Sequence, residues 1–403
     1  MDPRLELRTD PRPSLDDVGE DEDLVERIRE EIRRDGPMPF VRFMEFALYD
    51  PDGGYYRGAD PRPGRVGDFL TAPELHPIFG ATLVGAIEES WDRLGRPDPF
   101  VIREHGAGTG ALAEAMLGEL SSRASPFIAA LRYQPVEVDA RRVEAFGRHL
   151  AGAGFGAIVE PATDVPIEGV VVANEVLDAL PVHRVRRRGP DLRELAVDIG
   201  PEGDLVEVEV DPTTPALAAR LADEGVELAD GQAAELGLAR DGWVASAAAG
   251  LRRGVLLVID YGATADELYD PVRRRDGTLR AYVRHQVHAD PYRHIGRQDL
   301  TAHVDFTALE RAAVAAGLSP IGTTTQAEAL MGLGIEARLQ AIQADPATTF
   351  EDYTLVRSAL MRLLDPAAMG GFRMVAFARD WPADRGDGPL AMFRFRLPSR
   401  RGR

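Results

Sequence analysis

The chain has 403 residues, 44% of them apolar, enough to bury a substantial core as two average domains or as one large α/β domain with insertions. Its 47 basic residues are all arginine and are outnumbered by 66 acidic ones; the net charge of -19 excludes non-specific binding to nucleic acid or anionic membranes, which needs a basic surface. Cysteine is absent, which removes disulfides, thiolate metal sites and a cysteine nucleophile.

Residues 1–20, rich in Pro and Asp, read as a disordered acidic tail with no apolar signal core and too much acid for a transit peptide. No run approaches the ~18 apolar residues that span a bilayer, and cytoplasmic residence in a bacterium is the expectation. Residues 21–98 show helical patterning and no strand pattern. In "EDLVERIREEIRRDG" Leu24, Ile28 and Ile32 recur at helical spacing, with Gly36 and Pro37 as the stop. "FVRFMEFALYDPDGGYY" is a second helix running into a turn, and "PELHPIFGATLVGAIEESWDRLG" a third, longer one.

From residue 99 to 382 the chain alternates between strand and helix. Strand "FVIREHG", helix "ALAEAMLGEL", strand "RYQPVEVD", helix "ARRVEAFGRHLAG", strand "AIVE" and strand "VVVAN" follow in order, the signature of a doubly wound parallel sheet. An insertion at 183–253 combines a β-ribbon ("HRVRRRG", "LRELAVDI", "DLVEVEV") with an Ala-rich helical segment. "GVLLVIDYG" resumes the sheet. A polar loop at 263–304 leads to helix "FTALERAAVAAG", strand "SPIGTTTQ", further helices and a last strand "FRMVAFARD"; residues 383–403 form a C-terminal tail.

Two stretches lie where such sheets bind ligands, beyond the carboxyl ends of the strands. In "REHGAGTGALAEAM" Gly106, Gly108 and Gly110 separate a strand from a helix, so backbone can approach a ligand that faces the helix N-terminus. The loop fits both the dinucleotide fingerprint and the E-x-G-x-G-x-G loop of S-adenosylmethionine (SAM) methyltransferases. Glu104 favours SAM, because a carboxylate there repels a pyrophosphate and suits an ammonium group. Glu137 or Asp139 at the next strand end supplies the acid for ribose hydroxyls; Asp139 also suits a helix cap, and Glu137 is preferred. In "VVANEVLDALPV" a buried strand ends abruptly in Asn174, Glu175 and Asp178.

Beyond these motifs, "DGPMPFVRFMEFALYDPDGGYY", "GDFLTAPELHPIFG", "EHGAGTGALAEAML", "ANEVLDALPV", "VIDYG", "GTLRAYVRHQ" and "GRQDLTAHVDF" resemble, in order and approximate spacing, the MidA-type SAM-dependent methyltransferases. That family includes the mitochondrial arginine methyltransferase that assists respiratory complex I assembly. The resemblance, over residues 21–380, implies a class I methyltransferase (Rossmann-like) fold with a mostly parallel sheet and an antiparallel last strand. It further implies that the helical region 21–98 contributes to the active site and that SAM is the cofactor. Cofactor contacts carry over to Gly67, Asp68, Thr71, Glu104, Gly106, Gly108, Glu137, Asn174 and Glu175, with Gly110 completing the loop. His105, Ala107 and Thr109 depart from the Leu, Pro and Arg often found there.

The family's characterised activity points to a protein arginine as acceptor. A guanidinium stays protonated, its pKa being above ~12, so carboxylates must hold it, and Glu175 and Asp178 are placed to do so. His303 and Asp305 in "TAHVDF" are further catalytic candidates, although Asp305 is equally placed to cap the helix that follows. Tyr55, Tyr56 and Tyr261 read as packing aromatics before substrate gates. A small-molecule O- or N-methyltransferase closed by the insertion is the alternative, and an assembly protein with a vestigial SAM pocket a third reading. No nucleic-acid or membrane partner is expected, and no metal, because the spacing of His285, His288, His294 and His303 suits no zinc pattern. Monomer and homodimer remain open.

Overall fold

The computed structural model describes residues 15–57, 70–284, 286–382 and 388–397. Helix α1 (Glu22–Asp35) begins at Asp21, whose carboxylate accepts the Leu24 N–H at 3.1 Å, and buries Leu24, Val25, Ile28 and Ile32. Helix α2 (Phe40–Tyr49) buries Phe40, Phe43, Met44 and Leu48, each worth roughly 2 kcal/mol of apolar burial. Both helices share one core with Val182, Val197, Leu279 and Leu300, so the N-terminal block packs on segments far along the chain. The third expected helix is two: Ala72–Leu75, then α3 (Ile78–Leu94). His76 precedes Pro77 and is driven to extended backbone, φ −165° and ψ 140°, because the proline ring disfavours a helical residue before it.

Helices α4 (Ala111–Ser122), α5 (Ala140–Gly152), α6 (Leu238–Ala249) and α7 (Phe306–Ala315) flank a six-stranded sheet. Its strands are β1 (Phe100–His105), β2 (Leu131–Val136), β3 (Ile167–Asn174), β4 (Leu251–Asp260), β5 (Ser319–Thr325) and β6 (Arg373–Arg379), in the spatial order β5-β6-β4-β3-β1-β2. The first four run parallel, and β6 is antiparallel to both neighbours. Side chains alternate between faces: Phe100 and Ile102 pack with α3, α4 and α5, whereas Val101, Val171, Leu256 and Val258 pack with α6 and α7. Coverage on both faces is why Val170 to Val172 and Leu256 to Ile259 read as unbroken apolar runs. The fold is the doubly wound, Rossmann-like class I sheet with one reversed strand.

Several local expectations give way. "AIVE" is no strand but a single bridge, Val159 to Tyr133, because the chain leaves the edge at once through exposed residues 161–166, with Pro161 and Pro166 at either end. Met38–Pro39 pairs with Val197 and Ala196 at the edge of the insertion sheet, a strand too short to pattern. The polar loop at 263–304 contains a small sheet of Arg280–Val283, Gln286–His288 and Asp299–Thr301. The C-terminal stretch packs: Leu390, Met392 and Phe393 are buried in the main core. Among the described residues no helix is long and apolar enough to cross a membrane.

Candidate active site

The register of the parallel strands aligns their carboxyl ends: Glu104 lies opposite Val172, and Asn174 opposite Ile259. Above these ends is a cavity of about 300 Å³, at the small end of the range for ligand sites. The glycine loop forms one wall. Gly108, at φ +54°, lines the cavity, and a Cβ there would meet nothing closer than 3.8 Å, so its open side is available to a ligand. Gly110 does something else: at φ +87° it starts α4, and a Cβ would stand 2.9 Å from Leu150 Cδ2, so it sets how closely two helices pack.

Four glutamates and one arginine, Arg142, carry the formal charges among the described lining residues. Glu137 Oε1 accepts the Gly108 N–H at 2.6 Å. Glu104 accepts the Tyr133 hydroxyl at 2.5 Å and is pushed up to about 8 by burial, despite that hydrogen bond. Glu74 accepts from Thr71 Oγ1 at 3.0 Å in a capping box, and burial raises it too. Glu175 follows β3 at φ +53°, a backbone conformation costly for a residue with a side chain. Its Oε1 accepts the Ala72 N–H at 3.1 Å and Asn174 Nδ2 at 3.3 Å, and burial pushes it up to about 8. Asn174 Oδ1 is buried at this spot without a hydrogen-bond partner.

Of the four expected catalytic residues, only Glu175 lines the cavity. Asp178 is buried behind the wall, bonded to the Tyr261 hydroxyl, with Oδ1 unpaired. His303 packs edge-on against Tyr261 at 5.4 Å, and burial pushes its ring down to about 4, so it stays neutral. Asp305 caps α7, its Oδ1 accepting the Thr307 and Ala308 N–H groups at 2.9 and 3.1 Å, while its Oδ2 is buried without a hydrogen-bond partner. Thr71 lines the cavity; Gly67 and Asp68 lie outside the described residues.

Other residues reach the cavity without having been expected there. Trp243, from α6, meets the His105 ring edge-on at 5.3 Å, and burial holds His105 down near about 4. Tyr49 and Arg142 also line it. Only Glu74 had a local signal, the T-x-x-E of a capping box. No group of three or more His, Cys, Asp or Glu among the described residues is disposed to hold a metal; His288 and His294 meet edge-on at 5.9 Å, and His285 lies outside the described set.

The family model for S-adenosyl-L-methionine-dependent methyltransferases matches residues 82–324, more than half of the chain. The chain belongs to this methyltransferase family. The MidA-type enzyme is 35% identical to a COG1565 superfamily member from Burkholderia thailandensis crystallised with S-adenosyl-homocysteine, at a TM-score of 0.83, covering 95% of this chain and 97% of that one. It is 28% identical to the mitochondrial protein arginine methyltransferase NDUFAF7 homologue of Drosophila melanogaster, over 86% of this chain and 82% of the relative. The NDUFAF7 protein of Homo sapiens is likewise 28% identical, over 79% and 75%. SAM is the cofactor, and the cavity fits it: an unpaired buried amide oxygen, a ring of carboxyls and an open glycine loop suit a ligand that is cationic and carries many donors.

Proposed function

We propose that this MidA-type methyltransferase acts on the guanidinium of an arginine side chain in a protein substrate. The observation that carries the reading is the carboxyl-rich lining of the cavity, four glutamates against one arginine around the strand ends, whose ionised forms a bound cation favours. A guanidinium keeps its proton, so a site lined with carboxylates suits it. The NDUFAF7 relatives, named protein arginine methyltransferases, support the same acceptor.

When bound, the cofactor supplies a methyl group on a sulfonium. The chain's residues then divide the remaining work. Glu137 holds the ribose hydroxyls, taking them in place of the Gly108 N–H it accepts here. Glu104 and the free Asn174 Oδ1 receive the ammonium end. With the cationic acceptor bound, Glu175 is held ionised, orients the acceptor nitrogen and takes the proton that nitrogen loses; burial, which raises its carboxyl to about 8, makes that ionised form the stronger base. Its cost in backbone strain is consistent with a fixed functional position.

Incubating the enzyme with methyl-labelled SAM and a lysate of its host, then separating protein from small molecules and hydrolysing the protein, tests the acceptor. Label in methylated arginine is the expected result. Label confined to the small-molecule fraction would overturn the reading.

A further inference from the structure

Tyr49, the last residue of α2, and Tyr56, in the turn after it, place their rings 5.5 Å apart and 23° from parallel, and both line the cavity. Tyr49 Oη donates to the Ala179 carbonyl at 3.0 Å, and Tyr56 Oη to Asp299 Oδ1 at 2.9 Å, so each hydroxyl is bound to the protein and the ring surfaces are what a ligand can use. Glu137, Asp178 and Asp299 all stand within electrostatic reach of Tyr49, which gives the wall a negative field. A guanidinium already stands at the edge of cation–π range. Arg142 Cζ lies 6.0 Å from the centroid of the Tyr56 ring, and its Nη2 is buried without a hydrogen-bond partner although Glu137 lines the same cavity.

The two rings come from α2 and the turn after it, in the N-terminal block, and are held by Ala179 in the loop after β3 and by Asp299; Arg142 comes from α5. We propose that the Tyr49–Tyr56 stack is the wall of the acceptor site, receiving a planar delocalised cation through cation–π contact beside Arg142. An ammonium or guanidinium over a tyrosine face gains most where the face is partly desolvated, and both rings are half-buried. The inference rests on the cationic acceptor proposed above and adds where that acceptor lies.

The test uses the full-length enzyme saturated with S-adenosyl-homocysteine, titrated with methylguanidinium, alongside steady-state methyl transfer to arginine-containing peptides. Tyr49→Leu removes the ring and Tyr49→Phe keeps it; a melting temperature on each shows that it is folded. Tyr49→Leu should weaken methylguanidinium binding and raise the peptide KM by about tenfold, leave SAM affinity unchanged, and affect kcat little; Tyr49→Phe should stay within about threefold of the parent. Equal losses in the two variants, a parallel loss of SAM affinity, or unchanged binding and KM in Tyr49→Leu would each overturn the proposal. Ring-dependent methylguanidinium binding without transfer to any arginine peptide would sink the arginine reading and uphold the wall. Arginine transfer with a KM indifferent to Tyr49→Leu would do the reverse.

Discussion

Glu175 shows how much one residue is asked to do. It sits in a left-handed backbone conformation, bonded to the Ala72 N–H and to its neighbour Asn174, with a carboxyl raised to about 8. Glu175→Gln keeps size and most hydrogen bonds but removes the charge, so turnover should fall by about tenfold or more with SAM affinity little changed. Unchanged turnover would take Glu175 off the catalytic list, and a joint loss of affinity would make it a cofactor ligand. Glu104 and Glu175 also set a pH dependence. Both rise from 4.5 to about 8 on folding, so between those values the folded chain holds more protons than the unfolded one, and the ligand-free protein loses stability as pH climbs through that window. A cationic ligand favours the ionised forms. SAM binding should therefore release protons near neutral pH and tighten as pH rises toward 8, which calorimetry in two buffers of different ionisation enthalpy would reveal; no proton release would contradict the assignment. Gly108→Val puts a branched side chain at φ +54° on the cavity wall, and SAM binding should vanish while the protein stays folded.

At the scale of elements, Asp305 turns on the distinction between a cap and a catalyst. Its two short bonds to the α7 backbone predict that Asp305→Ala loses about 1 kcal/mol of stability, that Asp305→Asn, another good cap, recovers most of it, and that neither changes turnover. A loss of turnover at normal stability would return Asp305 to the active site. Most strands were legible because a run buried on both faces is apolar throughout: "VVVA" and "VLLVI" could be little else. Elements that failed to show were those with little burial of their own. Val159 forms one bridge, Met38–Pro39 is two residues long, and the 280–301 sheet is built from strands of three or four residues among polar ones.

For the molecule as a whole, the cavity is roofed by residues from the N-terminal block, and α1 and α2 share their core with the ribbon and the 279–302 segment. Deleting residues through 80 removes Tyr49, Tyr56, Thr71 and Glu74 from the cavity and exposes that shared core, so SAM binding should be lost. A chain of residues 95–403 that bound SAM normally would show the block to be an appendage.

What the sequence by itself determined is what depends on neighbours in the chain: the alternation that makes a doubly wound sheet, the three glycines between β1 and α4, and the acids at strand ends. Only the tertiary structure decided which of those acids meet. Glu74, Glu104, Glu137 and Glu175 converge from four separate segments, joined by Tyr49 and by Trp243, which lies far along the chain from the loop it flanks. The same structure turned Asp305 into its own helix and set Asp178 behind the wall. Local patterning reports which face of an element is buried; which buried polar group faces a ligand depends on how the elements are stacked, because side chains at the ends of different strands become neighbours only once the register of the sheet is set.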